Sequence, residues 1–206
     1  MGSVFFKPWI GSRYGKADSV FDKKILVLGD SHYCEEGCVP CGVDEKKEQC
    51  GNFTTEVIRD YLDSNVKGTW KRTFTKFMNS FVGGADYHRD EFWESVSFYN
   101  YLQIAAGNNS RQTRSYDYNQ EKHKAALLEV ISSLDPDVIV CWGNNVWDAM
   151  PEDIGWGRGF LSKEFSCCFV YPFKDRELKF IGITHPSSSY KSSQWTSVFG
   201  QLGVNK

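Results

Sequence analysis

Apolar residues along this chain gather in short runs that each stop at a Gly, a Pro or a polar side chain. The run "KILVL" at 24–28 ends at Gly29, and "VSFYN" at 96–100, "PDVIVCWG" at 136–143 and "LKFIGITHP" at 178–186 repeat the design. Runs that are apolar at nearly every position belong to strands covered on both faces, as in a parallel sheet. Between them, apolar residues recur at helical spacing over 54–63, 70–82, 122–133, 144–150 and about 193–202. "HKAALLEVISSLDPD" is an amphipathic helix closed by Asp135-Pro136. This alternation predicts an α/β fold of three layers, α/β/α, around a central, mainly parallel sheet of about four strands. Ligands of such sheets bind at the carboxyl ends of the strands, where Asp30, Asn100, Gly143 and His185 are expected to gather.

Composition narrows the class. At 206 residues the chain is read as a single domain, 1–206, long enough to bury a core, and 16% aromatic content supplies rings for it. No apolar run reaches the length of a membrane span, and the first residues lack the apolar centre of a signal peptide, so the expected setting is cytoplasmic, away from membranes. A net charge of -2 gives no global basic field; a nucleic-acid partner has to be met by a local patch. In "KGTWKRTFTKF", 67–77, helical spacing puts the cations on a solvated face and the rings in the core, so "SRQTR" at 110–114 and "YKSSQW" at 190–195 are the better phosphate contacts.

Seven cysteines are an odd number and suit thiols or metal ligands more than a disulfide frame. Cys34, Cys38, Cys41 and Cys50 form C-x3-C-x2-C-x8-C, a Cys-rich loop insertion at 34–50. Four thiolates so close together fit a structural zinc site, with His32 as a substitute ligand; an iron-sulfur cluster and unligated thiols are the competing readings. Cys141 falls inside an apolar strand and is expected in the core, while Cys167 and Cys168 suggest no role.

Four segments, taken in order, resemble the uracil-DNA glycosylase superfamily: "VLGDSHY", "CGNFTTEVIRDYL", "SFYNYLQ" and "ITHPSS", with "LDPDVIVCWGNNVWDAM" as the strand-Gly-helix unit before the last. The resemblance implies a DNA-repair enzyme that flips out a uracil-type base and hydrolyses its N-glycosidic bond. On that reading Asp30 and His185 are catalytic, Phe53 stacks on the base, Asn100 reads its edge and Tyr33 closes the pocket. Ser187 belongs to the closing His-Pro-Ser motif, and Tyr190 fills the space that the extruded base leaves in the DNA. The family's other branch has its acid one residue later, where this chain has Ser31.

Two alternatives stand beside it. Gly29-Asp30-Ser31 after a strand is similar to the nucleophile turn of SGNH hydrolases, with Ser31 attacking an ester, but those enzymes place an Asp three residues before the His, and here that residue is Gly182. A catalytically inactive nucleic-acid-binding member of the glycosylase fold is the other. Each residue also has a bland account: Asp30 as a turn cap, His185 as a core histidine, Phe53 as a helix-start staple.

Overall fold

The computed structural model describes residues 2–34, 48–84, 88–106 and 116–204. Along the chain come β1 (Trp9–Ile10), β2 (Ile25–Gly29), a 3-10 turn (Glu48–Asn52), α1 (Phe53–Leu62), α2 (Lys71–Val82), α3 (Arg89–Ser95) and β3 (Ser97–Asn100). They are followed by α4 (Glu121–Leu134), β4 (Val138–Trp142), α5 (Asn144–Asp148), β5 (Phe160–Leu161), β6 (Cys168–Phe173), β7 (Arg176–Ile183) and α6 (Ser192–Leu202). All the strands join one sheet in the order β1-β3-β2-β4-β7-β6-β5.

The fold is mixed α/β, as expected, but the sheet has seven strands rather than about four. Its centre, β3-β2-β4-β7, is parallel throughout and made of the four runs legible in the sequence. The additions are antiparallel: β1 on one edge, β6 and β5 on the other. β1 and β5 have two residues each, too short for any period to show. β6 carries Pro172, whose missing N–H marks down a strand assignment made from sequence.

Every residue of β2 and β4 is buried, which explains their unbroken apolar character. Alternate residues feed separate cores. Ile25, Val27, Phe98, Val140 and Trp142 face one core with α1, α2, α3 and α6; Leu26, Leu28, Tyr99, Ile139 and Cys141 face the other with α4 and α5. The first core is mostly rings. Phe74 and Phe77 of α2 meet Trp142 at centroid separations of 5.4 and 5.1 Å, and Phe74 meets Phe98 at 5.5 Å. Burial of Phe74, Phe77, Met78 and Phe81, with Arg72 and Lys76 exposed, matches the helical reading of that basic stretch.

Opposite the strand ends of functional interest, Asp135 adopts the left-handed conformation (φ 52°) that closes α4. Its carboxylate binds Lys24, Lys174 and Arg176, while Arg176 also reaches Asp137 at 3.0 Å. These pairs tie the starts of β2, β4 and β7 together. Among the described residues no helix is long and apolar enough to cross a membrane.

Candidate active site

The register pairs Gly29 with Asn100 at the ends of β2 and β3, and β4 and β7 finish beside them. Asp30, Asn100, Gly143 and His185 therefore all stand at the carboxyl edge of the parallel strands. β2 and β7 are separated by β4, so their ends lie about 10 Å apart, two interstrand spacings.

Asp30 is fixed by both backbone and side chain. Tyr101 and Leu102 donate their N–H groups to the carbonyls of Gly29 and Asp30, each at 3.0 Å. The Tyr118 hydroxyl donates to the carboxylate, 2.8 Å from Oδ1 and 3.0 Å from Oδ2, and itself receives the Asn145 amide at 3.3 Å. The carboxylate is thus held by a phenol, and among the described residues it caps no turn. Burial pushes its pKa up, and the Tyr118 bond acts against that rise. A carboxylate whose pKa is raised by burial, placed at a strand end, is suited to proton or cation chemistry.

The second group is more enclosed. Asn100 is 6% exposed and His32 3%. The Asn100 Nδ2 group lies 3.0 Å from His32 Nδ1, and His32 Nε2 lies 3.0 Å from Thr54 Oγ1. An amide N–H can only donate, so Nδ1 accepts and the neutral ring carries its proton on Nε2, which donates to Thr54. The Phe53 ring, at the start of α1, meets the imidazole edge-to-face at 4.8 Å, and Phe6 meets it at 4.5 Å. Burial lowers the His32 pKa to about 3, so the ring is uncharged at neutral pH.

His185 follows β7 and is also neutral, its pKa lowered by burial to about 4. Its Nδ1 accepts the Ser187 N–H at 3.2 Å, with the Ser187 hydroxyl 2.7 Å away. The backbone donor makes Nδ1 the acceptor and leaves the proton on Nε2, which has no hydrogen-bond partner among the described residues. Gly143, between β4 and α5, has a φ of +99°, which suits glycine; a Cβ there would make only ordinary contact with His185, at 3.6 Å. Ser187, expected to bind substrate, holds His185 Nδ1 and so sets its tautomer.

The remaining residues divide. Tyr33, three residues after Asp30, is 38% exposed. Tyr190, expected to fill the space that an extruded base leaves, is 9% exposed and packs in the α2/α6 core, its hydroxyl bound to Ser80 and its ring stacked on Trp195 at 6.3 Å. The Ser31 side chain makes no hydrogen bond among the described residues, and it is Ser187, not a carboxylate, that holds His185 Nδ1.

Cys34 and Cys50 are described, whereas Cys38, Cys41 and the 110–114 segment lie outside the described residues. Among the described residues no three His, Cys, Asp or Glu side chains are grouped to hold a metal. Cys141 and Cys168 are buried in the cores.

Tyr118, Thr54 and Gln103 carry the site without having stood out in the sequence. Gln103 Oε1 accepts the N–H groups of Phe5 at 2.9 Å and Phe6 at 3.3 Å, which seats Phe6 against His32. None of the three lies on a repeating pattern that would have singled it out. A groove of about 430 Å³ lies elsewhere, on the α5 face of β6 and β7, lined by Trp147, Phe160, Leu161, Tyr171 and Phe180 among others; no expected site residue lines it. Compared with known proteins, the chain matches no family model and no curated protein sequence.

Proposed function

We propose that this protein is an N-glycosyl hydrolase similar to uracil-DNA glycosylases, acting on a flipped-out, uracil-type base in DNA. One observation carries the reading: a partly desolvated carboxylate, Asp30, and a neutral histidine, His185, whose Nε2–H has no partner among the described residues, stand at the same edge of a parallel sheet, at the ends of two strands with one strand between them. Heterolysis of the bond between the sugar C1′ and the base nitrogen leaves a cation-like sugar and an anionic base. Asp30 supplies negative charge beside the sugar and orients the water that adds to C1′. His185 donates from Nε2 to the oxygen on which charge develops in the leaving base. A neutral donor suits this step, because its proton is in place at neutral pH. Phe53 and Asn100 serve the base, and Tyr33, exposed three residues after Asp30, faces the approaching strand. In the cysteine loop, the spacing of Cys34, Cys38, Cys41 and Cys50 supports a closed structural zinc site.

The test is release of uracil from single-stranded DNA and from a U·G duplex, where poor pairing makes extrusion cheapest. His185→Ala should lower kcat by on the order of a hundredfold to a thousandfold with little change in KM. Asp30→Asn should cost a similar amount, and the two losses should not multiply, because both act on one transition state. Ser31→Ala should stay close to wild type. Full activity in Asp30→Asn with none in Ser31→Ala would move the reacting group to Ser31, and hydrolysis of a short acyl ester abolished by Ser31→Ala would replace the reading with an esterase. DNA binding without base release would leave a binding protein.

A further inference from the structure

His32 takes no part in the chemistry above, yet at 3% exposure it is an enclosed titratable side chain near the strand ends. It sits where the base would have to sit. The residues assigned to a base are a stacking ring, Phe53, and an amide, Asn100; both are engaged by the His32 imidazole. Thr54 takes the far nitrogen at 3.0 Å and Phe6 covers another side at 4.5 Å. Asn100 cannot turn to a second partner without losing this arrangement. Its Oδ1 is packed over Gly29, so closely that a Cβ on that glycine would lie 2.1 Å away. The His32 backbone is pinned as well, its carbonyl accepting the Ala106 N–H at 2.7 Å, which leaves side-chain rotation as the way to vacate the space.

We propose that His32 is the specificity-determining residue of this site: its imidazole occupies the space between Phe53 and Asn100, and a nucleobase must displace it to be read. The inference rests on the glycosylase reading for the identity of the incoming ring, but not for the occupancy itself. The space is matched to a planar nitrogen heterocycle that presents an acceptor to Asn100 Nδ2 and an N–H donor to Thr54 Oγ1. Imidazole meets that pattern. A pyrimidine has a larger ring and carbonyl substituents, so it cannot share the space with His32.

The experiment uses imidazole and free uracil as probes, titrated by calorimetry into wild-type protein, His32→Gly and His32→Gly/Asn100→Ala. His32→Gly should bind imidazole at least tenfold more tightly than wild type does, and removing the Asn100 amide should reverse most of the gain. Equal imidazole binding by wild type and His32→Gly overturns the proposal. Uracil distinguishes the two levels of the argument: if His32→Gly binds imidazole but not uracil, the occupancy stands and the uracil-type substrate does not. A measurement on the wild type covers the case in which the glycine variant does not fold. Nitrogen-15 spectra of histidine-labelled protein at neutral pH should show His32 protonated at Nε2 and bare at Nδ1, with the Asn100 side-chain amide close to Nδ1; the opposite tautomer overturns the proposal.

Discussion

Removing one hydroxyl, in Tyr118→Phe, should expose the cost of burying the Asp30 carboxylate. Tyr118 is the only side-chain donor to Asp30 among the described residues, at 2.8 and 3.0 Å. A hydrogen bond to a charged group contributes about 1.5–3 kcal/mol, against about 0.5–1.5 kcal/mol when both partners are neutral. Burial raises the Asp30 pKa above that of the unfolded chain, so ionising it destabilises the folded protein, and stability falls as pH rises through the folded pKa. Tyr118 offsets part of that loss. Its removal should raise the Asp30 pKa further and destabilise the protein by about 1.5–3 kcal/mol above that pKa, with a smaller, neutral-bond loss below it. For a chain of 206 residues the larger figure corresponds to a fall of about 3–12 °C in Tm. Urea unfolding at a series of pH values, on wild type and Tyr118→Phe in native and Asp30→Asn backgrounds, measures it. A loss that is the same at every pH, or undiminished when Asp30 is already Asn, would refute the reasoning. If the glycosidic chemistry needs ionised Asp30, the acid limb of kcat/KM in Tyr118→Phe should move to higher pH.

Gly29→Ala should also be costly, because the new Cβ would lie 2.1 Å from Asn100 Oδ1 and 3.0 Å from Phe98 Cζ inside a packed region; a loss of about 1–3 kcal/mol in denaturant unfolding is expected, and wild-type stability would mean that Asn100 turns aside freely. Elemental analysis of purified protein should give about one zinc per chain, as for a closed tetrathiolate site, with Cys34→Ser or Cys50→Ser lowering it. Iron with sulfide would mean a cluster, and no metal would defeat the zinc reading.

The four central strands were legible because burial on both faces makes a strand apolar at every position, a pattern that needs no partner to be seen. α2 was legible for a similar reason: Phe74, Phe77, Met78 and Phe81 repeat at helical spacing whatever they pack against. From these follows the gathering of Asp30, Asn100 and His185 at one edge, since parallel strands all end on the same side. The edge strands were hidden by their brevity and by Pro172, and they form because β3 offers β1 a ladder, β7 offers one to β6, and β6 in turn to β5. What each strand-end residue touches was settled by the tertiary structure alone. Tyr118 reaches Asp30 across 88 positions, and Asn100 reaches His32 across 68. Such bonds depend on where loops return and which rotamer fits, and neither leaves a period in the chain. Tyr190 makes the same point in reverse. Its place near the His-Pro-Ser segment suggested an exposed role, but the docking of α6 on α2 buries its ring and gives its hydroxyl to Ser80. A local pattern reports which residues prefer the interior, whereas the partner each one finds there is fixed only when distant segments pack together.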